Sequence, residues 1–511
     1  MVTSCMSFPF RTLSLAFASL CAAVVLSPVP SRAQQQTPPS SPPSLLDRLN
    51  AFLGAGGKSA WTPEQLATML RLRDAAMKDS YAYDELHYLT DNIGPRLSGS
   101  PQAQQAVEYV AGEMRALGAE VTLEKAMVPH WVRGVETGEL VEWPRKQSAT
   151  GAMTTQKIVL TALGGSVATP AEGITAEVVV VDSFAQLQAL PAGAVKGKIV
   201  LFNHKFDKEL AATGDGLNAY GNGVVYRGAG PIFASTAGAV AVLVRSVGGA
   251  EYRIPHTGMT EYAPGVAKIP AAAVTAEDAE LLKHLASQGT VKMRLTLTPQ
   301  TLPDAQSYNV IADWKGSEHP EQVVIVSGHL DSWDLGTGAI DDGAGIAVSM
   351  QVIHLLHDLG IRPKRTVRFV AWMCEEEGSQ GAAAYMADHK AEFGNHIGAI
   401  ESDLGADHPT GIFYAGKSAL GAYLRPLSAV LEPIGAEVLT SAPETGEDIA
   451  GLTENGVPSF APIQDSRFYF NYHHTPADTF DKIDPVHLNQ NAAVMTVLAY
   501  ALADSAEPAP R

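Results

Sequence analysis

Apolar residues recur at three- and four-residue spacing in two stretches near the start of the chain. Leu66, Met69, Leu70 and Met77 follow Thr62-Pro63-Glu64-Gln65, an order that makes a capping box with proline at the first helical position, so a helix is predicted to begin there. Val107, Val110, Met114 and Leu117 form a second stripe, behind Ser100 as cap and before Gly118 as terminator, and lead into a strand over 120–123. After residue 305 the pattern changes to apolar runs at 308–314, 323–327, 366–373 and 397–402, separated by helical stretches. Near-continuous runs of that length predict strands covered on both faces, so the fold class is α/β, with a mixed, largely parallel sheet flanked by helices.

Between about 130 and 302 the texture turns to Gly, Ala and Val, with short β runs at 177–181, 198–202, 239–244 and 291–297. Helix-and-strand patterning stands on both sides of this region. It therefore reads as a β-rich domain over 131–302, inserted into an α/β domain formed by 45–130 and 303–505, with a tail at 506–511. The alternative is a β-rich extension of one sheet.

The first residues read as an address. Apolar and small side chains fill 13–26, with Arg11 before them and the small-x-small order Ser31-Arg32-Ala33 after, which predicts a signal peptide over 1–33. Fourteen residues at about 1.5 Å each span about 21 Å, short of a hydrocarbon core of about 30 Å, so no stable membrane anchor is expected and the destination is secreted or periplasmic. The Gln, Pro, Ser and Thr of 34–44 read as a disordered tether. Formal charge is −18, and loss of the two basic residues Arg11 and Arg32 would make it −20, which argues against nucleic-acid or anionic-membrane partners. Removing Cys5 and Cys21 would leave Cys374 alone, so the core or a bound metal, and not disulfides, must hold the mature chain.

Candidate chemistry sits where apolar runs stop. The run 323–327 leads into Gly328-His329-Leu330-Asp331 and then a glycine-rich turn carrying Asp341 and Asp342. The next run ends in Cys374-Glu375-Glu376-Glu377 and the one after it in Glu401-Ser402-Asp403, while His473, His474 and Asp478 lie near the C-terminus. In open α/β sheets the carboxyl ends of strands face the ligand crevice. Carboxylates crowded there repel one another unless a cation offsets them, and imidazole plus carboxylate ligands point to Zn²⁺, with Mn²⁺ or Co²⁺ as alternatives. His354, His357, His389, His396 and His408 lack that setting and read as structural or surface residues. The run 411–418 matches the phosphate-loop expression, but its Ile-Phe-Tyr centre reads as a strand. Cys374 has no cationic neighbour in sequence, so its thiol is expected to pack and stay protonated.

Taken together, 327–345, 375–378, 401–403 and 473–479 resemble the di-zinc exopeptidases of the bacterial zinc aminopeptidase family, in the carboxypeptidase Q branch. The inserted region resembles the protease-associated domain that relatives carry. The resemblance implies two Zn²⁺ per chain, with His329 and Asp403 on one ion, Glu376 and His474 on the other, and Asp341 bridging. It also implies Asp331 as the acid that orients His329, and Glu375 as the base that takes a proton from a metal-shared water. His474 fits the family's His-Thr-x-x-Asp-Thr pattern, leaving His473 as a pocket residue. Asp448, Arg467, Tyr469 and Tyr472 are near enough in sequence to the last ligand to be candidates for contacting a short peptide. The implied substrate is a dipeptide or short peptide, with removal of N-terminal residues from longer chains as the other reading, and the implied partner is a second copy of the chain. A glutaminyl cyclase or a non-catalytic, receptor-like homologue would share the fold but lack the full ligand set.

Overall fold

The computed structural model describes residues 59–145 and 154–511; the expected signal peptide and tether, and the catalytic segment up to residue 58, lie outside them. Helix α1 (Pro63–Ala76) starts as the pattern predicts, with the Thr62 hydroxyl accepting from Gln65 N and Gln65 Oε1 accepting from Thr62 N. It stops one residue short of Met77, which is its C-cap. Helix α2 (Pro101–Ala116) is capped by Ser100 and followed by Gly118 at φ 83°.

Strand β1 (Glu120–Val132) runs well beyond the expected 120–123, because at the edge of a sheet its polar residues can alternate outward while the backbone stays paired. The chain then builds β2 (Glu136–Glu142), β3 (Gln156–Ile158), β4 (Leu160–Ala162), β5 (Ile174–Val181), β6 (Ile199–Phe202), helix α3 (Gly216–Thr236), β7 (Ala241–Arg245), β8 (Ala271–Val274) and β9 (Lys292–Leu297). These eight strands form one sheet in the order β3-β2-β9-β5-β6-β7-β8-β4. The remaining strands are β10 (Gln300–Trp314), β11 (His319–His329), β12 (Arg365–Trp372), β13 (His396–Glu401), β14 (Pro409–Ala415), β15 (Val438–Ser441) and β16 (Ser459–Gln464). They join β1 in a second sheet ordered β1-β10-β12-β11-β13-β16-β14-β15.

Val132 pairs with Gln300, so the chain leaves this second sheet and returns to it at neighbouring positions. The boundaries expected at 130/131 and 302/303 fall inside that β1–β10 ladder. Sequence texture marks where apolar runs stop, whereas the backbone pairing continues a few residues further.

Strands β11, β12, β13 and β16 are mutually parallel, and the flanking pairs β10–β12 and β14–β16 are antiparallel. One face of this sheet packs on α1, α2, α4 (Ala344–Asp358) and α5 (Pro485–Asp504), in the largest apolar cluster of the molecule. Helix α5 is buried almost all round from Leu488 to Ala503, as expected of a helix without a polar stripe. The other face is covered by Tyr385, Leu452 and neighbours. The run 411–418 is strand and turn, and a Cβ at Gly411 would meet the Val438 carbonyl, so its backbone is committed to the ladder and cannot cradle a phosphate. Among the described residues, no helix is long and apolar enough to cross a membrane.

Candidate metal centre

Parallel pairing brings the carboxyl ends of β11, β12 and β13 to one edge. His329 closes β11, Glu375 and Glu376 follow β12, and Asp403 follows β13. The glycine-rich turn is packed so closely that a Cβ at Gly345 would collide with the Ser402 carbonyl and the Asp342 carboxylate. Asp342 accepts from His329 N (3.1 Å) and Gly345 N (2.9 Å), and the Asp341–Asp342 peptide is cis. The C-terminal motif is tied to the same turn: Asp478 Oδ1 accepts from Ala339 N and Ile340 N, each at 2.8 Å. Arg96, fully buried, donates to the carbonyls of Leu330, Thr337 and Gly338 and fixes the loop from the other side.

The result is two groups of ligand atoms sharing one residue. His329 Nε2 lies 3.1 Å from Asp341 Oδ1 and 3.4 Å from Asp403 Oδ1. His474 Nε2 lies 3.3 Å from Asp341 Oδ2 and 2.9 Å from Glu376 Oε2. Two ligand atoms each about 2.0 Å from a tetrahedral zinc ion are about 3.3 Å apart, so both groups have the spacing of tetrahedral edges. His329 Nδ1 donates to the Asp331 carbonyl at 2.9 Å, which leaves the Nε2 lone pair facing the carboxylates. Glu376 Oε1 is buried with no hydrogen-bond partner among the described residues, an acceptor that a cation would satisfy. The donor set fits zinc.

Electrostatics point the same way. Burial pushes the carboxyls of Glu375, Glu376 and Asp403 up, reinforced by the neighbouring acids and opposed by His329. For His329 burial disfavours the charged form, but Asp403, Asp341 and Glu375 outweigh it and raise its pKa. Burial also pushes Asp341 up, yet His473 and His329 hold it below its ordinary value. Cys374 and His474 adopt left-handed backbone conformations, φ 73° and 59°, the kind of local strain that collects at functional sites. The Cys374 thiol is raised by burial and donates to Gln380 Oε1, so it packs as expected and is no nucleophile.

Three expectations are corrected. The His329 ring is hydrogen-bonded by the Asp331 backbone carbonyl, and the Asp331 carboxylate lies further off, its Oδ1 3.8 Å from Nδ1; Oδ1 accepts from Cys374 N (2.7 Å) and Glu375 N (3.1 Å), and Oδ2 from Ser98 Oγ (3.1 Å) and Glu376 N (3.4 Å). Arg467 is exposed and paired with Asp465, and Tyr472 lines a separate hollow with Phe468 and Tyr252. Neither Arg467 nor Tyr472 lines the cavity over the ligands, because the 469–472 turn sends residues four apart to one side: His473 N bonds to Tyr469 O, and those two face the cavity. Asp448 is buried beside Glu401, its carboxylate oxygens have no hydrogen-bond partner among the described residues, and it is not on the cavity lining.

The cavity measures about 720 Å³ and is lined by Glu375, the candidate ligands Asp341, Glu376, Asp403 and His474, and Tyr469, Gln464 and His473. The sequence reading missed Tyr220, Arg227 and His256 from the segment between β1 and β10. Tyr220 and Arg227 reach the cavity from α3, and His256 Nε2 lies 3.2 Å from His473 Nδ1. None carries a motif, and an isolated Arg or His in an apolar, glycine-rich stretch gives no signal by itself.

Residues 309–499 match the family model described as Peptidase family M28. Carboxypeptidase Q of Bos taurus is 41% identical over 432 residues, which cover 84% of this chain and 87% of that one. The crystal structure of a Peptidase M28 precursor from Shewanella amazonensis SB2B aligns with a TM-score of 0.81 at 36% identity, over 88% of this chain and 98% of that one. A zinc aminopeptidase from Bacillus subtilis shares the fold, with a TM-score of 0.61 at 21% identity over 84% of this chain and 98% of its own.

Proposed function

Because the chain belongs to peptidase family M28, we propose that it is an extracytoplasmic exopeptidase that holds two zinc ions and hydrolyses dipeptides or short peptides. The observation that carries the reading is Asp341, whose two oxygens face two different histidines, each accompanied by its own second carboxylate. Residues 131–302 are read as a protease-associated domain, which the adjacent exit and return of the chain at Val132 and Gln300 supports. The signal-peptide reading of residues 1–33, made from the sequence, supports the location.

Zinc held by His329, Asp341 and Asp403 and by Asp341, Glu376 and His474 would supply an acidified water and a Lewis acid for the scissile carbonyl. Glu375, on the cavity wall, takes the proton of the attacking water and passes it to the leaving amine. Burial and the neighbouring acids push its carboxyl up and His329 opposes them; the charge of held cations would act in the same direction as His329, toward the ionised base. The Asp331 carboxylate holds the peptide turn that carries Glu375 and Glu376, so base and ligand are placed by one anchor. Asp478 fixes the turn before Asp341, and Tyr469 and His473 close the wall beside it.

The test is release of free amino acids from dipeptides by zinc-loaded protein, abolished by chelation and restored by zinc. Protein with both sites filled that cleaves no short peptide would overturn the reading.

A further inference from the structure

We propose that the part of the cavity between Gln464 and the 442–447 loop binds the cationic side chain of a lysine or arginine standing immediately before the scissile bond. The inference rests on the hydrolase reading and adds the class of peptide the site favours.

Gln464 closes β16 and is 5% exposed. Its Nε2 donates to Ser402 Oγ (3.0 Å) and to the Gly405 carbonyl (3.3 Å), so both amide hydrogens are committed, and a flipped amide would set oxygen against a carbonyl. Oε1 is therefore left buried on the cavity wall with no donor among the described residues. Thr445 Oγ1, on the loop, is buried without a partner as well. A buried acceptor without a donor is costly, and a ligand that brings N–H groups removes the cost.

The loop supplies the charge. It is pinned at one end by Ala442 N donating to the Tyr414 carbonyl (3.0 Å), and at the other by Ile449 N donating to Glu401 Oε2 (3.1 Å). A Cβ at Gly446 would strike the Glu401 carboxylate, so glycine lets the loop pass close to the strand end that carries Asp403. From this loop Glu444 and Glu447 line the cavity. Burial, then Glu444 and Asp403, push the Glu447 carboxyl up, and no cation of the protein offsets them. Two carboxylates, an amide oxygen and a hydroxyl make a wall of acceptors, and the groups that match it are ammonium and guanidinium, which only donate.

Position fixes which residue carries the cation. Gln464 bonds to Ser402, the neighbour of Asp403, so these acceptors stand at the Asp403 end of the cavity. The one Arg or Lys of the lining, Arg227, lies at the other end, 3.3 Å from His474 Nδ1. That gradient turns the N-terminal residue of a short peptide toward the loop. Its α-nitrogen is next to the scissile carbonyl and stays over the ligand groups, where neither Glu444 nor Glu447 is within ion-pair distance of His329 or His474. The long stem of lysine or arginine spans the remaining gap and packs along the wall.

The experiment compares lysyl-leucine with norleucyl-leucine, which lacks only the side-chain ammonium, in zinc-loaded wild type, the loop pair Glu444→Gln/Glu447→Gln, and Gln464→Met, with bound zinc counted in each. The wild-type kcat/KM ratio of lysyl to norleucyl peptide is expected to exceed ~10, and the loop pair is expected to cut it about tenfold, mainly through KM, with Gln464→Met between. Calorimetric binding of the uncleavable reduced-bond analogues of both peptides should follow the same order. Gln464→Met also removes the bonds to Ser402 and Gly405, so the loop pair decides the matter if that variant does not fold. A wild-type ratio near one, or a ratio that the loop pair leaves unchanged, would overturn the assignment. Wild type that cleaves neither peptide, yet binds the lysyl analogue more tightly in a way the loop pair erases, would sink the hydrolase reading and leave this assignment standing.

Discussion

Asp331→Asn replaces a charge on which three consecutive peptide N–H groups converge. In the native protein Oδ1 accepts from Cys374 N and Glu375 N, and Oδ2 from Glu376 N and the Ser98 hydroxyl, all within 2.7–3.4 Å and all buried or nearly so. An asparagine keeps one acceptor oxygen and turns an NH₂ toward the Glu376 N–H. Two hydrogen bonds drop from charged to neutral, losing about 1 kcal/mol each, and one buried N–H is orphaned at about 2 kcal/mol, for a total of about 4 kcal/mol. Urea unfolding of metal-free wild type and variant measures that loss directly. Because Glu375 rides on the same turn, a shift of about 1 Å should lower kcat about 100-fold. The His329 ring should stay in place, since a backbone carbonyl orients it. A variant as stable as wild type, or one that loses zinc while keeping its stability, would refute the reasoning and return Asp331 to the role of ring orienter.

Three further outcomes are expected. Glu375→Gln, nearly isosteric, should lower kcat by about 10²–10⁴-fold while bound zinc, measured by atomic emission, stays at the wild-type level. Asp341→Asn should cost more zinc than His474→Ala, since Asp341 faces both ligand groups and His474 only one, and dialysis against graded chelator would rank them. Glu85 tests the pH logic away from the metals: burial, joined by Glu113 and Asp84 against a 2.7 Å hydrogen bond from Tyr109, pushes its carboxyl from 4.5 up to about 7. Between those values the native state holds a proton that the unfolded chain has lost, so this group makes stability fall as pH rises. Glu85→Gln should therefore match wild type near pH 4 and exceed it at pH 8 by up to about 3 kcal/mol, read from unfolding midpoints.

The catalytic sheet was legible because its central strands are buried on both faces and leave uninterrupted apolar runs, as in β11 and β12. His329, Glu376 and Asp403 were legible for a related reason: each follows such a run, so the polar residue where the run stops marks the sheet edge, whereas Asp341 and His474 were singled out by the family resemblance. Edge strand β1 was read short because half its residues face water. Proximity along the chain misled where the backbone turns tightly, and placing Arg467 and Tyr472 needed the 469–472 turn itself. Asp331 shows a subtler limit: sequence puts an acid two residues from a candidate metal-binding histidine, but only three-dimensional structure shows that its side chain points to the next strand's turn. Arg227 and His256 approach from a helix and a loop of the segment between β1 and β10, and no spacing rule links them to the ligand groups.

The central claim is that one carboxylate joins two cation sites. Crystals of the zinc-loaded protein, with anomalous difference maps on both sides of the zinc absorption edge, test it most directly. Two peaks should flank Asp341, one reached by His329 and Asp403 and the other by Glu376 and His474. A single peak, or zinc seated away from Asp341, would contradict it.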